Sequence, residues 1–211
     1  MHDNNKPLII GLGHTKRVGK DTFARFLAES FYRQTGGSMC RSSFAYKLKE
    51  VCADLYGWAG LRSPEFYETP EGEVLREVVL PVLGKSPRQI WIDFGTKAVR
   101  QQVYDRTWVD YVMKNMQHVA NVTTDVRFPN EAEAIHDAGG YLVRITRPGF
   151  EPGNDAADQA LIDYFGWDYY VDATTIDELR EQAEYILGLI LAKHGVSINE
   201  NRGNGAKHDG S

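Results

Sequence analysis

The chain has 211 residues, of which 42% are hydrophobic and 25% charged, and its formal net charge is −5. That length and balance suit a well-buried globular domain and exclude a low-complexity or highly charged disordered chain. The mild negative charge gives no global electrostatic case for nucleic-acid binding, and no apolar run approaches the roughly 18 residues of a membrane span. The two cysteines, Cys40 and Cys52, have no metal-ligand spacing. With no signal-like leader either, the reading is a reduced, cytoplasmic protein.

Residues 1–6 are polar. An apolar run, Leu8 to Ile10, then leads into a stretch holding Gly11, Gly13 and Gly19, followed by Lys20 and an amphipathic pattern that begins with Phe23, Phe26 and Leu27. Strand, glycine-rich loop and helix in that order form the setting of a phosphate-binding loop. Glycines let backbone N–H groups approach phosphate oxygens, the helix start adds unpaired donors, and Lys20 adds a mobile positive charge. Five residues separate Gly13 from Gly19, one more than G-x-x-x-x-G-K-[ST] has, and Asp21 stands between Lys20 and Thr22.

The first helix is predicted over about 19–32, ended by Gly36 and Gly37. Residues 39–45 read as a second strand and 46–56 as a helix stopped by Gly57. Residues 58–86, with three prolines and an acidic patch, give only a helix over about 72–80. Ser86, Pro87 and Gln89 mark a helix start of the capping-box type, and another helix is predicted over 108–116. A strand follows at 118–125, then a short helix capped by Asn130 with Glu133 and stopped by Gly139 and Gly140, then a strand at 141–146. Residues 147–160 are rich in Pro, Gly, Asp and Ala and read as a loop or flap. A last strand at 169–172 precedes a helix capped by Thr175 and Glu178, and the tail from Gly195 is expected to be disordered.

Strands alternating with helices predict a three-layer α/β fold with a mainly parallel sheet, its ligand at the carboxyl ends of the strands. Basic residues fall where such a site would form: Lys16, Arg17 and Lys20 around the loop, Arg127 after Asp125, Arg144 and Arg147 at the next strand end, and Arg88 and Arg100 on one helix. Phosphoryl transfer needs such a set, because it is catalysed mainly by positioning and charge neutralisation. Each residue also has a plainer reading. Lys16 and Arg17 could be a solvated loop, Asp125 a turn cap rather than a magnesium-associated carboxylate, and Arg127 an ion-pair member. Gln89 could serve only the capping box, and Trp91 and Trp108 the core.

Four blocks resemble the bacteriophage-type deoxynucleoside monophosphate kinases of the P-loop nucleoside monophosphate kinase class: residues 13–29, 43–57, 86–112 and 124–135. A weaker fifth block covers 169–187. The sequences G-K-D-T and D-V-R-F-P-N-E are the most specific. The resemblance implies one P-loop kinase domain over 1–194, with an acceptor-binding region at about 44–116 and a lid at about 147–163. It implies transfer of the γ-phosphoryl of ATP to a deoxynucleoside 5′-monophosphate, with Mg²⁺. Carried across, it makes Gly13, Lys16, Arg17, Gly19, Lys20, Asp21, Thr22 and Arg147 nucleotide contacts, with Asp21, Thr22 and Asp125 on the metal side. Phe44, Lys47, Arg88, Gln89, Thr96, Arg100 and Trp108 become acceptor contacts, and Lys20, Arg88, Asp125 and Arg127 the catalytic set. The flap lacks the histidine–serine–glutamate pattern of such relatives. The implied partner is a small-molecule substrate in the cytoplasm, the host's if the chain is phage-encoded. Neither nucleic acid nor membrane is expected, and a homodimer stays open. Two other readings also stay open: a P-loop kinase for another small acceptor, and a non-catalytic nucleotide-binding module.

Overall fold

The computed structural model describes residues 6–116, 118–153 and 159–195. In chain order its elements are β1 (Leu8–His14), α1 (Lys20–Thr35), β2 (Cys40–Ser42), α2 (Tyr46–Tyr56), α3 (Pro70–Leu75) and α4 (Pro87–Trp91), which runs on as a π-helical stretch, Ile92–Arg100. There follow α5 (Thr107–Asn115), β3 (Ala120–Thr123), α6 (Pro129–Asp137), β4 (Tyr141–Thr146), β5 (Tyr169–Asp172) and α7 (Ile176–His194). The chain divides into two compact units, residues 1–41 with 117–211, and residues 42–116. Among the described residues, no helix is long and apolar enough to cross a membrane.

The strand order is β2-β3-β1-β4-β5, and β1 pairs in parallel with both β3 and β4, as β4 does with β5. Parallel strands require a crossover, and α6 lies in the one between β3 and β4. In β1, Leu8, Ile10 and Leu12 join Val143 and Ile145 of β4 against Phe23, Phe26 and Leu27 of α1 and Leu179, Ala183 and Leu187 of α7. The opposite face of β1 is also covered. A side chain at Gly11 would run into Ile135 of α6, Leu142 and Val126. A strand buried on both faces explains why β1 reads as a nearly continuous apolar run. The result is the expected three-layer α/β arrangement.

Local chemistry sets the ends. Gly36 closes α1 in the left-handed conformation, φ 74°, and its N–H caps the Tyr32 carbonyl. At α7, Thr175 Oγ1 accepts from the Glu178 N–H at 3.2 Å, while the Glu178 carboxylate accepts from the N–H groups of Thr174 and Thr175 at 2.8 and 3.1 Å. The start of α6 differs from the sequence expectation of Asn130 and Glu133. Pro129, with a fixed φ and no N–H to leave orphaned, takes the first helical position. Glu131, 4% exposed, becomes the third and accepts from the N–H groups of Arg127 and Phe128 at 2.7 and 3.1 Å.

In the unit of residues 42–116, α2 has the predicted bounds and Ser86 Oγ accepts from Gln89 N–H at 3.3 Å, as predicted. The helix expected at 72–80 is shorter and earlier, because Thr69 caps it at Gly72 N–H, 3.1 Å, with Pro70 next. The chain then turns back, and Leu80 N–H donates to the Lys85 carbonyl at 3.0 Å. Cys52, Leu61, Tyr67 and Ile90 form the core of this unit, with the Tyr67 and Trp91 rings edge to face at 5.1 Å. Strands β2 and β3 are shorter than predicted.

Candidate phosphate-binding site

Thr15 to Gly19 join β1 to α1. The strand runs on through Gly13 and His14, so the extra residue between the glycines is taken up in regular structure. Gly13 itself is paired with Arg144 across β1 and β4. A Cβ at Gly13 would lie 2.3 Å from Trp167 Cη2 and 3.0 Å from the Val126 carbonyl oxygen, so packing demands glycine there. The loop proper turns on two left-handed residues, Arg17 at φ 62° and Gly19 at φ 94°. Left-handed residues set among right-handed ones turn successive N–H groups to one side, the arrangement that binds anions. For arginine this backbone costs on the order of 1–3 kcal/mol, strain of the kind that collects at functional sites.

The loop is tied down at both ends. Thr15 and Val18 are buried, and Lys20 Nζ reaches back along the loop to donate to the Thr15 carbonyl. This lysine therefore spans the loop from the first position of α1. Lys16 is half-buried and Arg17 exposed. Asp21, also exposed, pairs with Arg41 at 2.5 Å, and Thr22 follows on the same turn.

Segments after β3 and β4 reach the same carboxyl edge. β3 ends at Thr123, level with Gly11 of β1, and the Val126 N–H donates to the Leu12 carbonyl at 3.2 Å. Asp125 and Arg127, both half-buried, flank that anchor. Arg144 lies two residues before the end of β4, and Arg147 just beyond it with its guanidinium 4.8 Å from the centre of the Phe150 ring. The unit of residues 1–41 with 117–211 thus carries Lys16, Arg17, Gly19, Lys20, Asp21, Thr22, Asp125, Arg127 and Arg147 at or just past the carboxyl ends of β1, β3 and β4. The flap residues 154–158 lie outside the described residues.

The remaining predicted site residues belong to the other unit. Phe44 is buried, and Lys47 pairs with Glu50 at 2.5 Å, a contact that raises the lysine pKa. Arg88 pairs with Glu77 and Arg100 with Asp105, the latter at 3.1 Å. Gln89 Nε2 donates to Asp93 at 3.0 Å, besides its backbone role at the Ser86 cap. Lys85 and Lys97 also bond Asp93, at 2.6 and 2.7 Å, and hold its carboxyl well below the usual carboxylate range. Thr96 lies in the π-helical stretch. Trp108 is largely buried and its Nε1–H donates to the Gly95 carbonyl at 3.2 Å, a core role. Sequence reasoning missed Trp167 and Glu131. The Pro-Asn-Glu order after Phe128 could have shown Glu131, whereas no local signal points to Trp167.

Among the described residues no group of three or more His, Cys, Asp and Glu could hold a metal ion alone. A magnesium ion on a nucleotide needs only one or two carboxylates besides the phosphates, so Asp21, Thr22 and Asp125 are a donor set of the right kind.

No family model matches the chain. Among solved structures, a shikimate kinase from Acinetobacter baumannii in complex with shikimate is 18% identical with a TM-score of 0.43, covering 90% of this chain and 96% of its own. A sugar kinase from Janibacter sp. HTCC2649 is 10% identical with a TM-score of 0.44, covering 91% and 98%. Likenesses that distant carry no argument about this chain. The parallel sheet, the loop from β1 to α1 and its lysine are those of a three-layer P-loop fold. A curated protein of Acanthamoeba polyphaga mimivirus, named "Putative deoxynucleotide monophosphate kinase", is 32% identical over a 157-residue alignment that covers 67% of this chain and 75% of that protein. The chain belongs to the deoxynucleotide monophosphate kinase family.

Proposed function

We propose that the protein transfers the γ-phosphoryl group of ATP to a deoxynucleoside 5′-monophosphate, giving the diphosphate and ADP. The observation that carries this reading is the loop of residues 15–19, wound on left-handed Arg17 and Gly19 and spanned by Lys20 at the head of α1. The family relationship supports a deoxynucleotide acceptor. Loop N–H groups and the Lys20 ammonium hold the donor phosphates, exchanging the Thr15 carbonyl for phosphate oxygens. Thr22, Asp21 or Asp125 would hold a magnesium ion, which would supply charge neutralisation on the phosphates. Arg127 offsets the charge that develops on the transferred group, and within the other unit Arg88 and Arg100 are the candidates for the acceptor phosphate. Phe44, Lys47, Gln89, Thr96 and Trp108 shape the acceptor side, and Arg147 serves the lid. One transition-state arginine in such chemistry is worth about 10³–10⁵ in rate.

The test is a coupled ADP-release assay over dTMP, dGMP, dCMP, dAMP and their ribose counterparts. The expected outcome is ATP-dependent turnover with one or more deoxynucleotides, lost in Lys20→Ala while the far-ultraviolet circular dichroism is unchanged. Near wild-type turnover in Lys20→Ala would sink the assignment of the loop. ATP binding without turnover on any acceptor would leave a nucleotide-binding module.

A further inference from the structure

Several arginines of this molecule are ion-paired: Arg33 with Glu184, Arg41 with Asp21, Arg88 with Glu77, Arg100 with Asp105 and Arg106 with Asp110. Arg144 is not among them. It is half-buried inside β4, and its Nε is fully buried with no hydrogen-bond partner among the described residues. An arginine keeps its proton, and a buried N–H left without an acceptor costs free energy.

Its position gives the charge a use. Arg144 is the register partner of Gly13, the last glycine before the loop. Its neighbours Val143 and Ile145 pack in the core with α1 and α7, so the pleat turns Arg144 to the other face, with Leu142 and the open side of Gly13. On that face the Trp167 ring closes over Gly13. The Trp167 Nε1–H is likewise buried without a partner among the described residues, and the whole side chain is only 6% exposed. Two buried donors without acceptors thus belong to side chains gathered around one residue, two positions before the phosphate loop begins.

We infer that Arg144 is an anion-binding residue that takes a phosphoryl oxygen of a bound nucleotide at the carboxyl end of β4. The planar guanidinium fork suits phosphate geometry, and the Trp167 wall keeps water from competing. Attributing the oxygen to a nucleotide rests on the kinase reading. Two sources share this chemistry, the donor triphosphate and the acceptor monophosphate, and the test separates them.

The full-length chain and its Arg144→Gln and Arg144→Lys variants are compared by calorimetric titration with ATP, each dNMP and the phosphate-free nucleosides. Arg144→Gln is expected to weaken ATP or the dNMPs at least ten-fold and leave the nucleosides unchanged, with Arg144→Lys recovering part of the loss. The ligand that suffers identifies the source of the phosphate. The ligand-free melting temperature of Arg144→Gln is expected at or above the wild-type value, since a buried donor without an acceptor has been removed. Unchanged affinity for both ATP and dNMPs in a folded variant overturns the inference. So does a lowered melting temperature with phosphate-bearing and phosphate-free ligands weakened alike, which would mark a structural residue. If the wild-type chain binds ATP but transfers nothing, the kinase reading fails while the affinity comparison still decides on Arg144. If it turns over dNMPs and Arg144→Gln binds both ligands normally, only the Arg144 inference falls.

Discussion

A single methyl group at position 13 tests the packing that leads into the loop. It would stand 2.3 Å from the Trp167 ring, which is buried and cannot swing away. Gly13→Ala is therefore expected to lower stability by about 1–3 kcal/mol, the usual cost of overpacking. Urea denaturation would measure it, and Trp167→Leu in the same chain should return part of the loss. An additive pair of penalties would show that the two side chains do not meet. Lys20 and Gly19 were legible in the sequence because their meaning is local: glycine supplies a left-handed turn, and lysine heads the helix. The packing role of Gly13 was not legible, because its partner is far along the chain and only the β1–β4–β5 pairing brings them together. Glu131 was a nearer miss, since its role depended on the helix beginning two residues earlier than expected.

At the scale of elements, the helix that carries Arg88, Gln89, Thr96 and Arg100 is governed by Asp93. This carboxylate gathers Lys85, Lys97 and Gln89, and its folded-state pKa is depressed, chiefly by the two lysines. A depressed acid pKa contributes stability that is present above the unfolded value, near 3.9 for aspartate, and is lost as pH falls from there through the lower folded value. Urea midpoints of the wild type should thus fall between about pH 4 and more acid conditions, and Asp93→Asn should flatten that part of the profile. An identical acid response in the two proteins would remove Asp93 from the account. The edges of α2, β4 and β5 and the caps at Ser86 and Thr175 were readable in advance because side-chain chemistry within a few residues decides them. The passage of α4 into a π-helical stretch was not. The α period was applied to this stretch, and its Gly95 carbonyl is engaged from outside by Trp108, further along the chain.

For the molecule as a whole, the layered parallel sheet followed from the alternation of strand and helix patterns. The separate region at about 44–116 came from the family resemblance, while its own small core on Cys52, Leu61, Tyr67 and Ile90 did not show in the pattern, because prolines and an acidic run hide it. Ligand linkage offers a test at this scale. A nucleotide that binds only the folded loop stabilises by about 2.7 kcal/mol at a hundred times its dissociation constant. Calorimetric melting with saturating ATP is expected to raise the wild-type transition and leave that of Lys20→Ala in place. No shift in the wild type would argue against a nucleotide site at the loop. The four tryptophans divide unevenly between the units, with Trp58, Trp91 and Trp108 in one and Trp167 alone in the other. The wall over Gly13 is accordingly also a built-in optical probe. The emission difference between the wild type and Trp167→Phe isolates one indole seated at the entrance to the phosphate loop, and its quenching or shift would follow nucleotide arrival in real time without any added dye.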